Sequence, residues 1–167
     1  MGLEICEDTS VDKPNKPYPR DVDNFHLKMA ENHYLAKAFA ENSPTDLQQF
    51  AILRQARGRI IGDLIQQEAL WETEFGLPEY IRLMALNQTS RQKFVEEAEG
   101  HMRRLRDVQS LFDMPLMSRS VGCVLCLTMK SLGINFEHEP GDAQTLFEML
   151  PKENSAVQAA CETYYGE

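Results

Sequence analysis

The stretch that decides the fold is DMPLMSRSVGCVLCLTMKSLG, residues 113–133. Asp113 can accept a backbone N–H as the N-cap of a helix, and Pro115 fits the first turn, where its missing N–H costs no hydrogen bond. Apolar residues continue through the centre of the stretch, and Gly133 suits the left-handed position that follows a helix. Ser120 is a second possible N-cap, which would give a shorter helix. Both starts predict a helix that ends near Gly133.

The segments on either side carry the same 3.6-residue period, and none shows the alternation of apolar and polar residues that marks a strand. Ser43 and Pro44 form a strong start signal as N-cap and first helical residue. The helices predicted outside 113–133 cover 22–41, 44 to about 74, a short piece from Pro78, a helix opened by the capping box at 89–92, and two short pieces at about 142–150 and 153–164.

This order of elements predicts an all-α fold, a single-domain helical bundle of four main helices plus short C-terminal helices. The bundle domain is predicted to span residues 21–167. Residues 1–20 hold three prolines among charged residues, which predicts a disordered or extended N-terminal arm. Gly58 and Gly62 interrupt the longest helix, where they either mark a bend or let another helix approach closely.

Charge and composition narrow the classes of partner. The net charge is −9 and the pI is about 5.0, whereas nucleic-acid binding normally rests on a basic surface. No secretion signal and no run of apolar residues long enough to span a membrane occurs in the sequence. We therefore expect a cytoplasmic protein that binds neither nucleic acid nor membrane, with reduced cysteines.

The motif GCVLC, at residues 122–126, is the first candidate for chemistry. A redox cysteine pair needs its first thiol at a helix N-terminus, where the dipole lowers the thiol pKa. With Ser120 as N-cap, Cys123 would occupy that position and Cys126 would be its partner. With Asp113 as N-cap, both cysteines lie deep inside the helix and are packing residues.

The longer string GCVLCLTMK resembles the CxxC motif of the alkyl-hydroperoxidase, carboxymuconolactone-decarboxylase-like proteins, which are all-helical and of similar length. The resemblance implies a thiol oxidoreductase that uses Cys123 and Cys126. The family places a histidine four residues after the second cysteine, where this chain has Lys130. The family's upstream proton-relay glutamate has no clear counterpart, so the motif is degenerate.

Four ionisable residues fall on predicted apolar helix faces, namely His33, Arg57, Glu68 and His101. Buried charge is costly unless it is paired, so these side chains need a reason to face inward. They could form a structural network or a partner interface, or they could line a small-ligand or haem pocket. No Glu-x-x-His motif occurs, so the sequence predicts no metal site and no resident cofactor.

No nucleotide-binding loop, nucleophile elbow or zinc-protease motif occurs. The leading hypothesis is therefore a non-enzymatic protein-binding helical module that acts as adaptor, regulator or inhibitor of another protein. Ile52 and Leu70 lie opposite the main apolar stripe, which predicts a homo-oligomer or a hetero-complex. The alternatives are a ligand-binding bundle with a pocket near His33, Glu68 and His101, and the CxxC oxidoreductase.

Overall fold

The computed structural model describes Tyr18, Pro19, residues 21–136 and residues 144–151. Within these ranges the chain is helical, with no strand. The prediction of an all-α fold is therefore confirmed, and no described helix is long and apolar enough to cross a membrane. The helices are α1 Val22–Glu41, α2 Pro44–Ile61, α3 Leu64–Thr89, α4 Arg91–Leu105 and α5 Met114–Ser131.

Helices α1 and α2 form an antiparallel pair, and α2 begins at the predicted cap, Ser43. Asp21 accepts from the backbone N–H of Asn24 at 2.8 Å, which starts α1. The helix ends at Asn42, whose left-handed backbone (φ 52°) turns the chain. Ser43 then accepts from the N–H of Asp46 at 3.2 Å and caps α2.

The prediction of one helix from 44 to about 74 is wrong, because the chain breaks at Gly62. This glycine has φ +63° and ψ −136°, a combination that side chains with a Cβ avoid. Helix α2 ends at Ile61, and α3 starts at Leu64 and runs back beside α2. Gly58 and Gly62 were expected to mark either a bend or a close helix approach, and a bend is what occurs at Gly62.

The predicted helix start at Pro78 is also wrong, because Pro78 lies inside α3. Its missing N–H removes one backbone hydrogen bond, and the extensive packing of α3 along α5 keeps the helix continuous. The N-cap of α4 is one residue later than the first residue of the predicted capping box at 89–92. Ser90 is its N-cap, with an extended backbone, and accepts from the N–H of Lys93 at 3.4 Å.

Helix α5 is the central element of the fold. Asp113 is its N-cap and accepts from the N–H of Leu116 at 3.2 Å, so the longer of the two predicted helices is the one that forms. Residues 120–129 are all buried, and α1, α3 and α4 pack around them. A helix that is apolar on all sides belongs in such a position.

Helices α3 and α5 meet at a pair of glycines. A Cβ added to Gly122 would lie 1.9 Å from the carbonyl oxygen of Glu72, and one added to Gly76 would lie 2.4 Å from the Cα of Gly122. Contacts this short leave no room for a methyl group. The two helices therefore approach at a distance that only glycine permits.

The predicted helix at 142–150 is not seen in its described part, since residues 144–150 contain a turn at 146–149 and no helix. Leu146 and Leu150 from these turns are buried in the main core, which holds the segment in place without a helix. The predicted piece at 153–164 lies outside the described residues. So does the predicted arm at 1–20, apart from Tyr18 and Pro19.

Candidate functional site

Three helices contribute six charged side chains to the interior, and each residue is at most 2% exposed. We call this group the ionic network: Lys28 and Glu31 of α1, Arg54 and Arg57 of α2, and Glu68 and Glu72 of α3. The members on each helix are three or four residues apart, so each helix presents both charges from one face. Three cations balance three carboxylates, and the network is electrically neutral.

Arg54 bridges two of the carboxylates. Its Nε and Nη2 donate to Oε1 of Glu31 at 2.8 and 2.5 Å, and Nη2 also donates to Oε1 of Glu72 at 2.7 Å. Nη1 of Arg54 pairs with the other oxygen of Glu72. A planar guanidinium suits such forked contacts with carboxylates, and the resulting hydrogen bonds are strong.

Arg57 continues the pattern on the other side of Glu31. Its Nη1 donates to Oε2 of Glu31 at 2.5 Å, and its Nη2 pairs with Oε1 of Glu68. Lys28 donates from Nζ to Oε2 of Glu68 at 2.8 Å. The network is thus a linear chain of alternating charges, which runs Glu72, Arg54, Glu31, Arg57, Glu68, Lys28.

The position of each group in this row of alternating charges determines the direction in which its pKa is shifted. Burial alone would raise the pKa of Glu68, but Lys28 and Arg57 hold it well below its usual range. Burial is likewise overcome at Glu31, whose pKa is lowered by Arg54 and Arg57. Glu72 and Lys28 stand at the two ends; burial raises the pKa of Glu72 and lowers that of Lys28, because a single ion-pair partner does not offset it. The two ends are therefore the electrostatically weaker positions.

Two aromatic rings, one from α2 and one from the segment at 144–151, lie against Arg54 of the network. The guanidinium of Arg54 lies 5.0 Å from the ring centroid of Phe50 and 5.3 Å from that of Phe147. The segment that carries Phe147 is fixed to α3 by a hydrogen bond from the N–H of Leu146 to Oγ1 of Thr73, at 2.9 Å. Aromatic faces and cations attract each other in such positions.

At the opposite side, Tyr18 reaches into the network from the residues that precede α1. Its hydroxyl donates to Oε1 of Glu68 and accepts from Nη2 of Arg57 at 3.0 Å. The ring centroid lies 5.5 Å from that of Phe112 and 5.8 Å from Nζ of Lys28. Burial and the Glu68 carboxylate raise the pKa of Tyr18, so the phenol stays protonated.

A second polar cluster surrounds His101 on α4. Nδ1 of His101 lies 3.0 Å from Oγ of Ser120, and Nε2 lies 2.9 Å from Oε1 of Glu79. Oγ of Ser120 also accepts from Nη1 of Arg104 at 3.0 Å. Burial lowers the pKa of His101, while hydrogen bonds, first from Arg82 and then from His101, lower that of Glu79 to about 2.

This second cluster has the residue types of a serine hydrolase triad, but its geometry is that of a structural contact. Ser120 is fully buried on the central helix, so no substrate atom can reach Oγ. The neutral imidazole accepts from Ser120 and donates to Glu79, which satisfies all three side chains. The cluster joins α3, α4 and α5.

The four residues predicted to face inward do not converge on one pocket. Arg57 and Glu68 are buried and paired with each other in the ionic network, and His101 is buried in the separate cluster. The prediction that His33 faces inward is wrong, because His33 is exposed and its ring contacts that of Tyr34. The inward face of α1 is instead set by Asn24, Lys28, Glu31, Asn32 and Leu35.

Sequence reasoning missed most of the ionic network. Lys28, Glu31, Arg54, Glu72 and Tyr18 were not among the predicted site residues. The usable signal was the spacing of three or four residues between charged side chains on each of three helices. A charged pair with this spacing is more often exposed, so the sequence did not distinguish buried pairs from exposed ones.

Cys123 and Cys126 are both fully buried and carry free thiols. Since α5 starts at Met114, neither thiol is near a helix N-terminus. Burial and the Glu79 carboxylate raise the pKa of Cys123 to about 12, and burial raises that of Cys126 as well. This environment favours the neutral thiol, whereas a reactive cysteine needs the thiolate.

Comparisons with protein-family models, with curated proteins and with solved structures give no match. Among the residues that the structure describes, no group of His, Cys, Asp and Glu side chains could hold a metal ion. The function is therefore inferred from the arrangement of this chain's own side chains.

Proposed function

We propose that the chain is a non-enzymatic protein-binding helical module that acts as adaptor, regulator or inhibitor of another protein. The observation that carries this proposal is a set of large aliphatic side chains exposed on three successive helices. They are Ile52 (37% exposed) and Ile60 (45%) on α2, Leu70 (47%) and Ile81 (59%) on α3, and Val95 (38%) on α4. Covering apolar area of this kind contributes about 25 cal/mol per Å².

The state of the interior supports the same proposal. Each charged group of the ionic network already has an ion-pair partner, so a ligand that inserted between these partners would have to break a buried pair. Breaking such a pair is strongly unfavourable, since it leaves an uncompensated buried charge. Binding at the outer helices carries no such cost.

We further propose that residues 21–167 act as one cytoplasmic domain, and that the partner is a second copy or a different protein. Ile52 and Leu70, expected to lie away from the main core, are exposed on adjacent helices. A partner that covers them would remove two branched side chains from water. The net charge of −9 favours partners with basic surfaces.

The test compares the wild-type chain with Leu70→Glu and with a matched control, Val22→Glu, at an aliphatic position that is 67% exposed at the start of α1. Light scattering over a range of concentrations reports homo-oligomers, and pull-down from source-cell extract reports other partners. We expect Leu70→Glu to abolish association while its circular dichroism stays unchanged, and Val22→Glu to retain it. A wild-type chain that is strictly monomeric and recovers no partner would contradict the proposal.

A further inference from the structure

Buried polar side chains around Tyr18 match both hydrogen-bonding directions of its phenol. We call this site the Tyr18 slot and define it by Asn24, Lys28, Arg57, Glu68 and Phe112. The hydroxyl of Tyr18 donates to Glu68 and accepts from Arg57, so both hydrogen-bonding directions of the group are used. A phenyl ring without the hydroxyl would leave both charged partners one contact short.

The slot also holds the ring and the backbone that follows it. Phe112 packs beside the ring, and Lys28 lies over its face at 5.8 Å. Nδ2 of Asn24 donates to the carbonyl oxygen of Pro19 at 2.6 Å. The recognised unit is therefore a tyrosine together with the carbonyl of the next residue.

The charged residues of the slot are also held by contacts that do not involve Tyr18. Glu68 stays paired with Lys28 and Arg57, and Arg57 also contacts Glu31 and Asn24. Removal of Tyr18 thus leaves a preformed site with two charged groups that can each make one more hydrogen bond. Sites that are already organised lose little free energy when a ligand is ordered in them.

Tyr18 can leave the slot without unfolding a helix, because it precedes the N-cap of α1 at Asp21. We propose that the slot is a tyrosine-recognition site, occupied by Tyr18 in the free protein and by a tyrosine of the partner protein in the complex. This inference rests on the proposed function, which it deepens by naming the chemistry of the partner. Tyr18 would then act as a competitor that limits binding.

The first experiment empties the slot with Tyr18→Ala and adds p-cresol, which has the shape of the tyrosine side chain. Toluene is the matched probe that lacks the hydroxyl. We expect p-cresol to raise the melting temperature of Tyr18→Ala and to bind it at least about tenfold more tightly than toluene, the usual effect of a hydrogen bond to a charged group. The wild-type chain should respond to neither probe. Equal effects of the two probes on Tyr18→Ala, or no effect of p-cresol, would overturn the proposal.

The second experiment covers the case in which Tyr18→Ala does not fold. Tyr18→Phe keeps the ring in place but is a weaker competitor, because it makes neither hydrogen bond. An acetylated, amidated Tyr-Pro dipeptide should bind Tyr18→Phe at least about tenfold more tightly than it binds the wild type. The matching Phe-Pro dipeptide should bind neither protein. Equal affinity of the Tyr-Pro dipeptide for both proteins would overturn the proposal.

The two proposals fail in distinguishable ways. Binding of p-cresol or of the Tyr-Pro dipeptide with no partner recovered would support the slot and contradict the proposed function. Recovery of a partner that Tyr18→Phe leaves unchanged would support the proposed function and contradict the role of the slot. If both hold, Tyr18→Phe recovers more partner than the wild type does, and added p-cresol reduces that recovery.

Discussion

At the scale of single residues, Arg54 is the most heavily used member of the ionic network. It donates to both Glu31 and Glu72, and its guanidinium lies against two aromatic rings. Arg57 and Glu31 also have two ion-pair partners each, whereas Glu72 and Lys28 each have one. The network therefore has a strong centre and weaker ends, which gives distinct expectations for each position.

Replacing Arg54 by Leu should be among the most destabilising single changes in the protein. It would leave Glu72 with no ion-pair partner and Glu31 with one partner instead of two. Breaking a buried ion pair typically costs about 3–5 kcal/mol. The free energy of unfolding in urea measures this cost. Arg59→Leu is the control, since Arg59 is exposed on the same helix. Equal loss in the two variants would argue against a network that stabilises the interior.

One end of the network and one inner position can be compared by neutral substitutions of similar shape. We expect Glu72→Gln to cost much less than Glu68→Gln. Burial raises the pKa of Glu72, so its neutral form is the better tolerated of the two, whereas Lys28 and Arg57 hold Glu68 ionised. Urea unfolding of both variants at neutral pH tests this order. A larger loss from Glu72→Gln would show that the ends are not the weaker positions.

His101 gives the stability of the protein a dependence on pH. Burial lowers its pKa in the folded state, while the unfolded chain binds a proton near pH 6.5. The unfolded state then holds more protons as pH falls below about 6.5, so stability should decrease in that direction. His101→Gln should make the loss between pH 7 and pH 5.5 smaller than in the wild type. An unchanged loss would contradict the lowered pKa.

At the scale of secondary-structure elements, the caps were predictable and the breaks were not. Ser43 and Asp113 supply local hydrogen bonds that their sequence neighbours reveal, so the starts of α2 and α5 could be predicted. Gly62 and Pro78 were ambiguous, because a glycine serves a bend or a close approach equally well, and a proline fits a helix start or, at a cost, a helix interior. Packing of α3 along α5 decided the second case, and packing is not local information.

The same limit explains which site residues could be predicted. Arg57, Glu68 and His101 were placed inward from the period of their own helices, and they are buried. Their partners lie on other helices, which a helical wheel of one segment does not relate. His33 lies next to the inward face of α1. A small error in the predicted rotation of that helix is therefore enough to place an exposed residue on the buried face.

The contact between α3 and α5 yields a prediction at this scale. Gly122→Ala should destabilise the protein by at least about 1–3 kcal/mol, because its Cβ would meet the carbonyl oxygen of Glu72. Gly100→Ala on α4 is the matched control. The nearest atom to its Cβ, in the flexible side chain of Arg103, is 3.9 Å away, and alanine favours helix by up to about 1 kcal/mol. Thermal unfolding should therefore shift in opposite directions, and a stabilising Gly122→Ala would contradict the close approach.

At the scale of the whole molecule, the interior has an apolar part around α5 and a polar part between α1, α2 and α3. The apolar part supplies most of the burial, and the ionic network fixes how three helices meet, since each charge must find its partner. Described residues from both sides of the helical region, Tyr18 and Phe147, cover the network. This division leaves aliphatic side chains exposed on the outer faces of α2, α3 and α4.

The most direct test of this account is the titration of the glutamate carboxyl groups, followed by NMR of the side-chain carboxyl carbons. Glu31 and Glu68 should stay ionised below the usual range of glutamate, because the cations of the ionic network lower their pKa values. The stability they contribute is present at neutral pH and is lost as pH falls below the unfolded pKa of about 4.3 toward their folded values. We expect two carboxyl signals that do not titrate until the protein unfolds. Titration of Glu31 and Glu68 together with the exposed glutamates would contradict it.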